Sequence, residues 1–378
     1  MLGSDNETDF PIFTGLILML RKAFIGIVLI FLLFLCAVIL WPQKKHTPFD
    51  VSEAYQAQAD AYKIYDMPND WTWKRFEAAD GTSLRWGETG NAGAAKASLI
   101  LVPGYTTTLN MYGEHVDILA GRGFHVIGLD LRGQGGSDRH DPDQPEKLWV
   151  KDFSVYSDDL AAFIKSLPRP ENRPLMPVAM SFGGHVALRM AGDHPGLVDG
   201  LFLLAPAIEP IAQGMSFDTA LFLMRAGRFL GKGMHYVPGR DRWSPYKDDL
   251  SLAHIDWCSS NPARLHSKDV IFTRLPEQRV GGVTFQYGSR FFESSRYIRK
   301  DGYLEAITVP TIIASAEVDH YVSTAVSKES CDARLPNCER LDIAESGHCL
   351  PQESDEILSE ILEGVEALYR RLEPSISD

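Results

Sequence analysis

Ala179-Met180-Ser181-Phe182-Gly183-Gly184 is the stretch of this 378-residue chain that decides its fold. Small residues two before and two after a serine let a strand turn sharply into a helix. Such a nucleophile elbow holds the serine hydroxyl at a strained corner above the carboxyl end of a sheet, with the first helical N–H groups aimed at the reacting carbonyl oxygen. Position 179 carries Ala where the usual G-x-S-x-G pattern has Gly, so the extra methyl is tolerated only where strand and helix still approach closely. The hexapeptide arises by chance often enough that it needs partners.

The partners follow in order. Ala314-Ser315-Ala316-Glu317-Val318-Asp319 succeeds an apolar run from Val309 to Ala314, and Ala344-Glu345-Ser346-Gly347-His348 succeeds another from Leu341 to Ile343. An isolated Asp or His is usually a turn or helix-start residue. Here an acid and then a histidine each lie just past a strand, completing the chain order Ser, Asp, His of the α/β-hydrolase triad. A serine hydroxyl is a poor nucleophile until a neutral imidazole takes its proton, and a carboxylate must fix the imidazole tautomer. Ser181, Asp319 and His348 are therefore the candidate catalytic residues. Glu317 and Asp342 are weaker choices for the acid, one placed too early and the other inside a strand.

An oxyanion hole takes two backbone N–H groups, one after the nucleophile and one after an early strand. Phe182 supplies the first. Leu99-Ile100-Leu101-Val102 reads as a buried parallel strand, and the Pro103-Gly104-Tyr105 that follows makes the Tyr105 N–H the second donor.

Hydrophobic residues make up 45% of the chain, enough for one large core or two modest ones. Apolar runs at 99–102, 125–129, 200–204 and 309–314 alternate with helical stretches such as 156–167, which predicts a mostly parallel sheet with helices on both faces. A hairpin is expected from Trp71–Phe76 and Ser83–Gly87, and a covering helix near 355–371. Residues 69–206 and 298–372 form the expected core. Between them the alternation stops, and 207–297 reads as an inserted helical cap. Phe222, Met224, Phe229 and Leu230 in it are candidates for an acyl pocket, for bilayer contact or for packing within the cap.

From Ala23 to Trp41 no charge interrupts the chain, and a helix of that length reaches about 28 Å, close to the hydrocarbon core of a bilayer. A single transmembrane helix at 23–41 is expected, after a tail (1–22) and before a polar linker (42–68). No A-x-A-like cleavage site argues for a removed signal peptide. Arg21 and Lys22 flank one end and Lys44 and Lys45 the other, so charge does not choose the orientation. Cys331 and Cys338 are near enough to pair; a disulfide there would favour an oxidising compartment, whereas two small buried thiols would not. The catalytic domain is placed, as an expectation, on the extracytoplasmic (periplasmic) side. A net charge of −13 argues against nucleic acid and against electrostatic capture by anionic lipid. No C-x-x-C or H-E-x-x-H spacing implies a metal, and no cofactor is called for.

Three longer motifs carry a family resemblance: Leu129-Asp130-Leu131-Arg132-Gly133-Gln134-Gly135-Gly136-Ser137-Asp138-Arg139, Asp152-Phe153-Ser154-Val155-Tyr156-Ser157-Asp158-Asp159-Leu160, and Ser181-Phe182-Gly183-Gly184-His185. Together with Ser259-Ser260-Asn261-Pro262-Ala263-Arg264, they resemble the monoacylglycerol lipase and bacterial lysophospholipase branch of the α/β-hydrolases, over about Trp71 to Arg371. The resemblance implies hydrolysis of a carboxylic ester on a single-chain glycerolipid, with Ser181, Asp319 and His348 matching the family's triad. It also implies that the Asp130–Arg139 loop is structural. Pro103 replaces the family's usual His before the oxyanion-loop Gly, Ala179 replaces the elbow's first Gly, and Pro177 falls in the central strand. Another Ser-dependent enzyme of this fold (a carbon–carbon hydrolase, an aminopeptidase, a lactonase) and an inactive membrane-tethered binding module are the alternatives.

Overall fold

The computed structural model describes residues 10–40, 46–212, 214–246, 258–259 and 261–373. Eight strands form one sheet: β1 (Thr72–Glu77), β2 (Ser83–Thr89), β3 (Ser98–Val102), β4 (His125–Leu129), β5 (Leu175–Met180), β6 (Leu201–Leu204), β7 (Thr311–Ala316) and β8 (Cys338–Ile343). Their spatial order is β1-β2-β4-β3-β5-β6-β7-β8. The β1/β2 hairpin joins antiparallel, and every other neighbouring pair from β4 to β8 is parallel. Strands β3 to β7 are buried along their whole length. That is why β3, β4, β6 and β7 appear in the sequence as largely apolar runs rather than alternating ones.

The helices are α1 (Phe10–Ile39), α2 (Glu53–Ala61), α3 (Gly113–Gly121), α4 (Ser154–Ser166), α5 (Phe182–Asp193), α6 (Phe217–Gly227), α7 (Pro262–Leu265), α8 (Ser267–Arg274), α9 (Phe285–Ile298), α10 (Thr324–Glu329) and α11 (Asp355–Leu372). Ser354 caps α11 by accepting the Ile357 N–H, and Leu358, Ile361, Leu362, Val365 and Leu368 recur at helical spacing on its buried face. Helices α3 and α11 meet over Leu101, Val178 and Leu204 of the sheet, and α4 packs on α5. Helices α6 to α9 fill the long connection between β6 and β7.

Two features depart from the sequence reading. Residues 46–68, read as a polar linker, contain α2: Ser52 caps it through the Tyr55 N–H, and Tyr55 and Ala59 are buried. A nine-residue helix with a two-residue apolar stripe is too short to stand out from a Tyr- and Ala-rich segment. Pro177 lies within β5 without breaking it. Leu175 O accepts the Asp199 N–H, so alternation turns residue 177 towards β6 as well, and pairing with β6 begins only at Val178. The donor that proline lacks therefore falls at the start of that ladder.

The transmembrane helix expected at 23–41 is not established: among the described residues no helix is long and apolar enough to cross a membrane. Helix α1 starts well before Ala23 and runs through Arg21 and Lys22. The side chains at positions such as 27, 31, 34 and 35 lie outside the described residues, as do residues 1–9 and 41–45 entirely. Of the side chains that are described, Leu18, Phe24, Ile25, Leu29, Ile30 and Leu33 are exposed.

His185, one turn into α5, is fully buried, with Nδ1 against Ala207 O at 3.0 Å and Nε2 against Ser294 Oγ at 2.7 Å. Desolvation, reinforced by the Arg189 charge, holds its imidazole down at about 3. The folded protein thus keeps His185 neutral while the unfolded chain takes up a proton below about pH 6.5. Stability contributed by this residue is intact above that pH and is lost as pH falls towards 3. His185→Gln should flatten the pH dependence of the unfolding free energy in this window by up to about 1.4 kcal/mol per pH unit. Denaturant titrations at pH 7, 6, 5 and 4 measure it; identical slopes for both proteins would remove His185 from the acid response.

Candidate active site

Each candidate residue emerges from the carboxyl end of a parallel strand, where open α/β sheets place their ligands. Ser181 follows β5 directly and takes φ 51°, ψ −111° as it caps α5. Its N–H donates to Leu204 O at 2.8 Å, and its carbonyl accepts from His185 N at 3.0 Å and Ala207 N at 2.9 Å. The strained corner is therefore fixed from β6 as well as from its own helix. The close approach that makes the turn possible occurs at Gly183: a Cβ there would lie 2.3 Å from Val102 O of β3. Ala179, whose methyl the sequence left in question, is fully buried.

Asp319 lies beyond β7 and His348 beyond β8. His348 Nδ1 is 2.7 Å from Asp319 Oδ2, and His348 Nε2 is 2.9 Å from Ser181 Oγ. The second carboxylate oxygen of Asp319 accepts the N–H groups of Tyr321 (2.8 Å) and Val322 (2.9 Å), which sets the carboxylate plane. The Asp319 side chain is 1% exposed, so little water competes with His348 for it. With Nδ1–H donated to Asp319, Nε2 is left as the acceptor for the serine proton, the tautomer that general-base work requires. Glu317 and Asp342 do not reach the imidazole. Glu317 accepts the Glu345 N–H at 2.6 Å, and Asp342 sits half in solvent with Lys328 and Arg340.

Phe182 is the first residue of α5, ahead of the first intrahelical acceptor. Tyr105 lies two residues beyond Pro103, and Gly104 presses on the nucleophile: a Cβ on Gly104 would stand 3.4 Å from Ser181 Cβ. Phe182 follows the serine directly and the Gly104–Tyr105 peptide unit begins beside it, so both positions expected to supply oxyanion donors lie near Ser181. The Phe182 ring packs edge-on against Phe153 (5.5 Å) and Tyr156 (5.0 Å), and the Tyr105 ring stacks on Tyr287 at 5.1 Å. Burial pushes the phenols of Tyr105, Tyr156 and Tyr287 up, so they stay neutral.

Several supporting groups escaped the sequence reading. Glu353, fully buried, accepts the Gly347 N–H at 2.7 Å and so anchors the residue before His348. Cys349 is disulfide-bonded to Cys258, tying the residue after His348 to the β6–β7 insertion. Asn261 Nδ2 and Arg264 Nη1 add hydrogen bonds to Glu353 O at 3.1 and 2.7 Å. Nothing local in sequence joins positions 258 and 349. Cys331 and Cys338 are also bonded, with Cα atoms 5.2 Å apart. Within the insertion Met224 packs with Ala220, Leu221 and Phe292, whereas Phe222 and Phe229 are exposed. A cleft of about 710 Å³ lies elsewhere, at the amino ends of β5 to β7, where Arg169, His194 and Asp199 line it without a nucleophile.

The geometry agrees with what the chain resembles. It is 28% identical to lysophospholipase L2 of Escherichia coli K12 over 239 residues, 62% of this chain and 67% of that protein. It is 23% identical to the probable lysophospholipase L2 of Haemophilus influenzae over 273 residues, 72% and 83% of the two chains. Among solved structures, a soluble variant of monoglyceride lipase from Saccharomyces cerevisiae superposes with a TM-score of 0.61 at 16% identity, covering 82% of this chain and 99% of the other. The monoacylglycerol lipase of Paleococcus ferrophilus gives 0.54 at 19% identity, with 76% and 98% covered. At such identities the two structures speak for the fold alone. Residues 93–355 match the Hydrolase_4 family, described as serine aminopeptidase, S33. The chain belongs to this family and, by its likeness to the lysophospholipase relatives, to the monoacylglycerol lipase and lysophospholipase branch of the α/β-hydrolases.

Proposed function

We propose that this protein is a membrane-anchored serine hydrolase that cleaves the carboxylic ester of a single-chain glycerolipid, a lysophospholipid or monoacylglycerol, through an acyl-enzyme. The observation that carries the reading is the continuous string Asp319–His348–Ser181, at 2.7 and 2.9 Å. Its chemistry follows from the geometry. His348 Nε2 takes the proton as Ser181 Oγ attacks the ester carbonyl; the developing oxyanion is met by the N–H groups of Phe182 and Tyr105. The imidazolium, stabilised by Asp319, then protonates the leaving glycerol oxygen, and Ser181 keeps the acyl group as an ester. Water, deprotonated by the same imidazole, releases the fatty acid and restores the serine. The names of the lysophospholipase relatives support the lipid ester as substrate.

The family's description favours a second reading on the same residues, aminopeptide hydrolysis, in which the leaving group is an amine. Purified enzyme assayed on monoacylglycerol, lysophospholipid, diacyl phospholipid, short aryl ester, aminoacyl amide and lactone separates these readings.

Segment 207–297 is proposed as the cap that selects the acyl chain. Helix α1 is proposed as the anchor, because its exposed apolar side chains are unfavourable in water by about 25 cal/mol per Å² and find a matching solvent in a bilayer. It lies beside Arg228–Lys232, which includes the exposed Phe229. Two disulfides, at Cys258–Cys349 and Cys331–Cys338, support an oxidising compartment and hence an extracytoplasmic catalytic domain.

Ser181→Ala and His348→Ala should each lower kcat on the order of 10⁴-fold or more, and Asp319→Asn substantially, because triad members act as one unit. A fluorophosphonate probe should label wild-type Ser181; an unlabelled serine would mark an inactive binding module. Alkylation of the unreduced full-length protein followed by mass spectrometry should leave Cys258, Cys331, Cys338 and Cys349 unmodified. Full modification of all four would place the domain in a reducing compartment instead. Truncation after Lys45 should release a soluble domain with unchanged kcat on a short ester but roughly 10²-fold slower hydrolysis of lipid in bilayers, since tethering raises effective concentration. Full-length protein recovered without detergent in the soluble fraction would refute the anchor.

A further inference from the structure

The Asp130–Arg139 loop contains a side chain that the catalytic string does not use but that reaches the loop after β3. Gln134 is 1% exposed. Its Nε2 donates to Gly104 O at 3.2 Å and its Oε1 accepts the Thr106 N–H at 2.7 Å. The amide orientation is set by these partners, because the flipped form would place oxygen against oxygen and N–H against N–H. The two contacts straddle Tyr105.

The carbonyl of Gly104 and the N–H of Tyr105 belong to the same planar, trans peptide unit, so they point in opposite directions. A donor held on Gly104 O therefore aims the Tyr105 N–H the other way, towards the nucleophile side. Thr107 Oγ1 donates to the same carbonyl at 2.9 Å, giving that oxygen two side-chain donors. Donors on the carbonyl also polarise the amide, which strengthens its N–H as a donor. The second contact bears on strain: Thr106 has φ 57°, a left-handed conformation that a β-branched residue avoids, and the Gln134 oxygen on its N–H holds it there.

The base of the clamp is itself fixed. Asp130 accepts the Leu109 N–H at 2.8 Å, the Gly136 N–H at 3.0 Å and Arg85 Nε at 2.6 Å. The Gln134 N–H donates to Leu131 O, and its carbonyl accepts from Ser137 N, each at 3.0 Å. The loop is thus a rigid support carrying a two-pronged amide, not only a structural turn.

We propose that Gln134 is a positioning residue, whose buried amide fixes the Gly104–Tyr105 peptide plane so that the Tyr105 N–H meets the oxyanion. This inference rests on the serine-hydrolase reading, with Tyr105 as the second oxyanion donor. It acts on the transition state and not on substrate binding, since the clamp touches no substrate.

The test uses the full-length protein in detergent, a short aryl ester, and an aryl trifluoromethyl ketone, which forms a hemiketal oxyanion with the serine. Loss of an oxyanion donor costs about 10²–10³-fold in kcat. A misaimed donor should cost less, so Gln134→Met, of similar volume but without either hydrogen bond, is expected to lose roughly 10–100-fold in kcat with KM within about twofold. Trifluoromethyl ketone affinity should weaken by a similar factor, while inhibition by the product acid stays unchanged. Thr107→Val removes the other side-chain donor on the same carbonyl without touching the loop, and should lose several-fold in kcat, again at constant KM. This second variant keeps the test decisive should Gln134→Met fail to fold. Wild-type-like kcat and ketone affinity in the variants, or losses confined to KM, would overturn the positioning role while leaving the serine-hydrolase reading intact. Wild-type protein that neither turns over the ester nor takes a fluorophosphonate label would remove both.

Discussion

The site depends on one backbone constraint, the corner at Ser181. A non-glycine residue at φ 51° is unfavourable by roughly 1–3 kcal/mol and persists only where its surroundings over-determine it. Here β6 does so, through Leu204 O and Ala207 N. The support is itself strained, since Ala205 takes φ 40° and leans on Ala314 O of β7 at 2.8 Å. Strand β7 then leads to Asp319. The position of the nucleophile and the position of the acid are therefore linked through three adjacent strands, and a shift in any one of them alters the reach of the imidazole between them.

The histidine is placed by a different device. Ser346 ties the acid loop to the histidine loop: its carbonyl accepts the Val318 N–H at 3.2 Å, its hydroxyl accepts the Glu317 N–H at 3.3 Å and donates to Ile343 O at 2.8 Å. Glu317, considered as a triad acid, instead takes the N–H of Glu345, which sits at φ 53°. Thr106, Ser181 and Glu345 are thus three non-glycine residues with positive φ, on three of the four segments that converge on the site, the Asp319 loop having none. Strain is concentrated where these chain segments must meet within hydrogen-bond reach, and each strained residue has its N–H or carbonyl taken up by a group outside its own loop.

Much of this was legible in the sequence because it is local. The elbow spacing around Ser181, the apolar runs before Asp319 and His348, and the Pro103-Gly104 turn before Tyr105 all declare themselves within a few residues, and continuous burial makes β3, β4, β6 and β7 readable as runs. Long-range partners were not legible. Cys258 and Cys349 are 91 residues apart in sequence, and Glu353 looks like any acidic residue ahead of a helix. Gln134 is hidden for the opposite reason: it lies inside a motif whose resemblance marks it as structural, and only the geometry shows that its amide supports the Gly104–Thr106 loop. Helix α2 was missed because its buried face consists of Tyr55 and Ala59, too little to set a period.

The covalent tie at Cys258–Cys349 bears on how such a protein separates chemistry from choice of substrate. In the proposed mechanism acyl transfer rests on strand ends, which are rigid, whereas selection of the acyl chain is proposed for the insertion between β6 and β7, which can vary without disturbing the sheet. A wholly independent insertion could drift relative to the imidazole. The disulfide, the hydrogen bond from Ser259 Oγ to Gln352 O at 2.6 Å and the Arg264 bonds to Glu353 O and Asp355 all converge on the segment that follows His348. This stretch of the insertion and the loop that carries His348 are consequently tied together by covalent and hydrogen bonds. Changes in residues 258–264 should therefore appear in the rate of acyl transfer as well as in substrate range.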